Sequence, residues 1–350
     1  MSHFEIRKYA FDLRLRNVFT ISRSSRSNQS NIFVALNRDG TTGFGEAGPN
    51  TRYGETADIV IGYLEKVQDV VNRVNTAEEI QPALDDAEQK AGIEPVYSAR
   101  LALEMAYLDW WARSQEKSLV ELWNINKKTT PVTSYTIGID EIAVMQQKIR
   151  EADEYPLYKI KLGTDHDREI IKAIRQVTDK PLRIDANEGW KDLDTSKREI
   201  EFLHKQNVEL VEQPMPASMN RKLQDLKKWS PLPLAADESF TGRESLEEVA
   251  DSFDVINIKL NKIGSVIRSR EKLKEAHALG LQVMIGCMIE SSMAISAGAH
   301  VALEAEYADL DGHLLITNDP FSGLELTEDK RLKFNGKAGF GVVPNESTPF

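Results

Sequence analysis

Five runs decide how this chain reads: YKIKLG (158–163), RIDANEGW (183–190), VELVEQP (208–214), LPLAADES (232–239) and INIKLNKIG (256–264). Each is a short apolar strand ending in charge. The middle three end in carboxylates, Asp185, Glu212 and Asp237. The outer two carry lysines, Lys159 and Lys161 on one side and Lys259 on the other. The steps are near-constant: 24 residues from Lys161 to Asp185, then 27 to Glu212, 25 to Asp237 and 22 to Lys259. One strand–helix unit fits each step. Strands that are apolar on both faces and alternate with helices pair in parallel.

The same unit extends both ways. TSYTIGI (133–139) precedes the five runs, and LQVMIGCMIE (281–290) and YADLDGHLL (307–315) follow them, making eight strands. Amphipathic patterns such as EIAVMQQKIREA, REIIKAIRQV and SREKLKEAHALG fill the gaps between them. Eight such strands predict a closed α/β barrel, whose active site lies at the C-terminal strand ends. All the charged residues named above lie at those ends. Residues 1–128 differ: FEIRKYAFDLRL, NIFVALNRDG and TTGFGEAG alternate like an antiparallel meander, with a turn at Asp39–Gly40 and three helical patterns after it. The expected organisation is an N-terminal α+β domain over 1–128, a barrel over 129–318, and a segment over 319–350 that packs back on the first domain. GFGEAG (43–48) matches a dinucleotide fingerprint, but Pro49 and Asn50 follow it where a helix would be needed, so it reads as a glycine-rich hairpin edge.

Bulk properties exclude several classes. Apolar residues make up 41% and charged residues 28%, an ordinary globular mix, and the net charge of −11 argues against nucleic-acid or anionic-membrane partners. No apolar run approaches the ~20 residues of a membrane span, and the charged N-terminus MSHFEIRKYAFDLRLRN lacks the apolar stretch of a signal peptide. The one cysteine, Cys287, excludes an internal disulfide and fits a reducing, cytoplasmic setting; in its apolar run it reads as a buried inert thiol. Assembly into a homo-oligomer is left open.

Three strand-end carboxylates suit a hard divalent cation such as Mg²⁺ rather than zinc. Taken singly, each would read as a helix cap; at equivalent positions in three consecutive repeats they read as a metal site. Asn187 would support a ligand. Lys159 and Lys161 alternate with Ile160 and Leu162, so both face inward. Lysines beside a cation can be kept neutral enough to act as bases. The set suggests metal-assisted removal of a proton next to a carboxylate. Lys262, three residues after Lys259, is placed on a loop. Asp309 and Asp311 form Asp-x-Asp at the last strand end, either a polar barrel rim or a pair holding a substrate ammonium. Glu290 is either a hydrogen-bond partner of a catalytic lysine or structural. Arg23 and Arg26, in TISRSSRSNQSN (20–31), form either a solvated loop or a contact to a substrate acid. The six histidines show no ligand spacing.

With these residues in place, the chain resembles the enolase superfamily, muconate lactonizing enzyme subgroup, over nearly its whole length. Within it, Asp-x-Asp at 309–311 and the segments VFTISRSSRS and ADLDGHLLI look like those of dipeptide epimerases acting on L-Ala-Xaa dipeptides. The resemblance implies a modified (β/α)7β barrel with an N-terminal capping domain. It also implies Mg²⁺ on Asp185, Glu212 and Asp237, Lys161 and Lys259 as paired acid and base, and Thr136 and Lys159 as substrate contacts. Asp309 and Asp311 would hold the dipeptide's ammonium. The implied reaction inverts the C-terminal residue, glutamate or a hydrophobic one, through an enediolate. Alternatives on the same barrel are an N-acylamino-acid racemase, a muconate cycloisomerase or an o-succinylbenzoate synthase; a non-catalytic barrel is the remote one. Two departures stand out. The usual DANQGW reads DANEGW, with Glu188, and the loop arginine of Ala-Glu epimerases aligns with Ser24, beside Arg23.

Overall fold

The computed structural model describes residues 2–346 and Thr348; the outer bounds of the expected domains, Met1 and Phe350, lie outside the described residues. Strands β1 (Glu5–Ile21), β2 (Ser24–Arg38) and β3 (Thr41–Ala47) form an antiparallel sheet. Asp39 and Gly40, at φ 53° and 81°, make the left-handed turn between β2 and β3, the kind whose twist matches the strands it joins. Helices α1 (Ala57–Val67), α2 (Ile80–Ala91) and α3 (Tyr97–Ser114) follow. The glycines of GFGEAG have a packing reason. A Cβ on Gly43 would overlap the Trp110 amide, and one on Gly45 the Ala102 carbonyl, so only glycine lets the α3 backbone lie directly on β3.

After a short helix α4 (Leu119–Leu122) and strand β4 (Thr129–Val132), eight strands alternate with helices. The strands are β5 (Tyr135–Ile137), β6 (Tyr158–Lys161), β7 (Leu182–Asp185), β8 (Val208–Glu212), β9 (Leu234–Ala236), β10 (Val255–Lys259), β11 (Gln282–Gly286) and β12 (Tyr307–Asp309). Each pairs in parallel with its sequence neighbour. The ring closes where Thr133 bridges Ala308 and the Ser134 amide donates to the Ala308 carbonyl at 3.3 Å. The intervening helices are α5 (Ile142–Glu151), α6 (Asp167–Arg175), α7 (Leu193–His204), α8 (Asn220–Trp229), α9 (Leu246–Ala250), α10 (Leu260–Ile263) with α11 (Val266–Ala278), and α12 (Ser292–Ala302). Period-two alternation sends Ile160, Ile184 and Val211 outward into the main core. Leu210, Ala235, Val255 and Met284 point inward and form a separate apolar plug. Charged side chains stand above that plug.

The last segment lies against the N-terminal domain. Strand β13 (Phe321–Ser322) sets the Phe321 ring 5.6 Å from Phe44 and 5.7 Å from Phe33. Asp109 of α3 accepts from the Phe44 and Phe340 amides at 3.0 and 2.9 Å. Two buried carboxylates of the N-terminal domain cap barrel helices. Glu46 accepts from Ser291 and Ala294 at the start of α12, and Glu104 from Ser265, Val266 and Ile267 at the start of α11. No helix among the described residues is long and apolar enough to cross a membrane.

Candidate active site

The strand register brings the charged ends to one level. Lys161 lies opposite Asp185, and Asp185 opposite Glu212. Asp237 follows β9 directly. Oxygens of Asp185, Glu212 and Asp237, all buried, lie within 4.8 Å of one another. Three converging buried carboxylates repel each other unless cations stand among them. Lys159 Nζ is one such cation, 2.7 Å from Glu212, 2.7 Å from Asp309 and 3.2 Å from Asp185. Lys161 Nζ lies 2.6 Å from Asp185, and Lys259 Nζ 2.9 Å from Asp237. The Asn187 amide donates to Asp185 at 2.9 Å.

Burial penalises every charge here, and pairing decides the outcome. Burial would raise Asp185, but Lys161 and Lys159 hold it well below the usual carboxylate range. Asp237 is lowered against its burial by Lys259 and Lys262. Glu212 is pushed up to about 7 by burial and by Asp185. Lys159, against its burial, is raised well above the usual lysine value by Asp309, Glu212 and Asp185. Lys259 is raised by Asp237 despite its burial.

Lys161 and Lys259 stand on β6 and β10, four strands apart in a ring of eight, and both line one cavity. Thr136, Lys159, Asp309 and Asp311 line it as well. Asp309 is fully engaged, by Lys159 and by the Ser134 hydroxyl at 2.5 Å. Asp311 accepts the Thr136 amide at 2.6 Å and is raised to about 6 by burial and by Asp309. Cys287 reaches the cavity wall, where burial keeps its thiol protonated.

Two arginines of the hairpin differ. Arg23 lines the cavity, but its guanidinium is paired with Glu238 at 2.5 Å and donates to the Asn187 carbonyl at 3.1 Å. Arg26, also in the wall, donates to the Gln29 side chain at 2.6 Å; among the described residues it has no carboxylate within 4 Å. Glu290 is in a structural tie. It accepts from the Asn261 side chain at 2.6 Å and the Met288 amide at 3.0 Å, and Asn261 in turn accepts the Gly48 amide at 2.9 Å.

Sequence reading missed two residues. Lys262 is not on a loop. It lies in α10 with its Nζ buried, 2.8 Å from Asp237, and donates to the carbonyls of Asp237 and Phe240. No local pattern marks it, because the helix that carries it has only four residues. Asn257 donates to Glu212 at 3.0 Å. It stands two before Lys259 on the same strand, so the alternation that marked Lys159 and Lys161 also marked it.

Residues 142–348 match the enolase C-terminal domain-like family model, and residues 6–123 match the mandelate racemase/muconate lactonizing enzyme N-terminal domain. The chain is 38% identical to an L-Ala-D/L-amino acid epimerase of Flavobacterium johnsoniae, over 95% of this chain and 97% of that one. The fold superposes with a TM-score of 0.87 on a dipeptide epimerase of Enterococcus faecalis solved with Mg and L-Leu-L-Tyr, at 27% identity over 97% of this chain and 99% of that one. It also superposes at 0.88 on an N-succinyl Arg/Lys racemase of Bacillus cereus, at 27% identity over 99% of this chain and 96% of that one.

Proposed function

This chain belongs to the mandelate racemase/muconate lactonizing enzyme family of the enolase superfamily, and on that premise we propose that it is a metal-dependent dipeptide epimerase. The reaction inverts the C-terminal residue of L-Ala-Xaa dipeptides. The observation that carries the reading is the pair of lysines facing each other across one cavity, with a buried three-carboxylate cluster beside them.

The donor set fits Mg²⁺: three hard oxygen ligands, buried and converging, with no sulfur or imidazole among them. When bound to Asp185, Glu212 and Asp237, the cation supplies Lewis-acid stabilisation of the charge that develops on the substrate carboxylate. The chain's own residues do the rest. Lys159 adds a fixed positive charge at the same end. One lysine, neutral, takes the α-proton; the C–H electron pair passes into an enediolate. The other, charged, returns a proton to the opposite face and inverts the centre. The family resemblance assigns Lys161 to the L isomer and Lys259 to the D isomer. Asp311 receives the dipeptide's ammonium, so ligand length is measured between two charges. Arg23 is occupied by Glu238, which leaves Arg26 as the hairpin arginine that favours a glutamate side chain at Xaa. The apolar residues Phe19, Ile21 and Met288 in the same wall accommodate uncharged ones.

The test is α-proton exchange in D₂O, with Mg²⁺, for L-Ala-L-Glu, L-Ala-L-Phe and N-succinylated amino acids. Free dipeptides should exchange and epimerise fastest, and Arg26→Ala should depress L-Ala-L-Glu selectively. N-succinylated amino acids outrunning every free dipeptide would replace the epimerase with an N-acylamino-acid racemase.

A further inference from the structure

Glu188 is the position where DANEGW departs from the family's usual glutamine, and the proposed reaction gives it no task. Asn187 and Glu188 are consecutive left-handed residues, at φ 43° and 64°, just past the end of β7. The Glu188 side chain is 12% exposed, and its carboxylate meets donors from three segments. Oε1 accepts the Ala217 amide at 2.9 Å. Oε2 lies 2.6 Å from Arg52 Nη2 and 3.8 Å from Arg23 Nη1.

The two arginines come from different parts of the N-terminal domain. Arg52 sits in the short turn Thr51–Tyr53. Arg23 sits at the tip of the hairpin between β1 and β2, where the Ser22 hydroxyl also bonds the Asn187 carbonyl at 3.2 Å. Both segments wall the cavity, one through Arg23 and Ser24, the other through Asn50 and Tyr53. Neither is covalently tied to the barrel mouth. Each arginine side chain is about one-third exposed, 34% for Arg23 and 35% for Arg52, so the pairs are partly desolvated yet within reach of salt. A glutamine could keep the Ala217 bond but would lose both ionic contacts, leaving Arg23 with its pair to Glu238 and Arg52 with none.

We propose that Glu188 is a clasp: its single carboxylate holds the 22–23 hairpin tip and the 51–53 turn down on the barrel mouth together, and its charge sets how often the cavity opens. The functional consequence rests on the epimerase reading; the clasp itself does not. Opening of such segments is a local event, separate from global unfolding. Losing the ionic contacts should favour the open form about fivefold, as for a well-formed but partly exposed ion pair.

Amide hydrogen exchange of the whole protein, followed by mass spectrometry, tests this without any substrate. In Glu188→Gln, peptides covering 18–26 and 50–55 should both exchange about fivefold faster, while the 255–259 strand keeps its wild-type protection. Raised salt should accelerate both peptides in the wild type; in the variant the 50–55 peptide should lose that response, and the 18–26 peptide should keep only the part carried by the Arg23–Glu238 pair. Acceleration of one segment alone, or of neither, overturns the shared clasp. Should the variant fail to fold, salt dependence in Glu238→Gln decides, since Glu188 is then the carboxylate left to Arg23: parallel acceleration of both segments supports the clasp, and salt-independent exchange of either overturns it. In turnover of a free dipeptide, Glu188→Gln should raise KM several-fold while kcat holds or rises. A protein that epimerises no dipeptide but shows the coupled exchange would sink the epimerase and leave the clasp. An active epimerase with unchanged exchange would sink the clasp alone.

Discussion

Asp309 and Asp311 lie two residues apart on the same rim, yet they are held differently. Asp309 is consumed by Lys159 and Ser134, whereas Asp311 is held by Thr136 and has a pKa raised to about 6 by burial and by Asp309. Above that pH it is ionised and attracts an ammonium; below it the neutral acid does not. KM for a free dipeptide should therefore rise as pH falls through about 6. Asp311→Asn should remove that inflection and cost at least about a hundredfold in kcat/KM, since stripping the partner from a buried charge costs about 3–5 kcal/mol. A KM profile equally steep in the variant would exclude Asp311 as the titrating group. The lysines make a second prediction. Lys161→Ala and Lys259→Ala should both abolish epimerisation, and each should retain slow α-proton exchange of only one isomer in D₂O. Either variant interconverting isomers at near wild-type rate would end the two-base scheme. At this scale much was legible: alternation marked Lys159 and Lys161, and equivalent positions on consecutive repeats marked the three acids. The state of each group was not, because the rise of Lys259 and the engagement of Arg23 depend on partners more than 20 and 200 residues away in sequence.

Elements carry the site through a few close approaches. Helix α3 lies on β3 because Gly43 and Gly45 leave room for its backbone. The neighbours there are main-chain atoms, which cannot rotate away. Gly45→Ala should destabilise by about 1–3 kcal/mol through overpacking, read as a lower urea midpoint with an unchanged slope. An unchanged midpoint would mean that the helix can lift from the strand. The eight strands and the helices between them were readable from period and length alone. The ends were less so: the INIKLNKIG run divides into β10 and a separate one-turn helix, α10, which buries Lys262 beneath Asp237. A four-residue helix has too few positions to show a period.

For the molecule as a whole, the carboxylate cluster predicts that cation binding and stability are coupled. Three buried carboxylates share the charge of nearby lysines, and a ligand that binds only the folded arrangement stabilises it by mass action. Mg²⁺ at a hundred times its Kd should add about 2.7 kcal/mol, seen as a raised Tm. Exhaustive chelation should reverse the shift and remove activity, and Asp237→Asn should blunt both. Full activity after chelation would rule out the metal-dependent reading.

By itself, the sequence determined the barrel, the N-terminal α+β domain and the ring of charged strand ends. Each of these is written in periodicities of two and 3.6 residues and in the near-constant spacing of one repeating unit. Only the tertiary structure decided how those charges are shared. It gave Asp309 to Lys159, Arg23 to Glu238, Lys262 to Asp237, and Glu188 to arginines of the other domain. Pairing depends on distances of 2.5–2.8 Å between side chains from distant parts of the chain, and no local pattern encodes them.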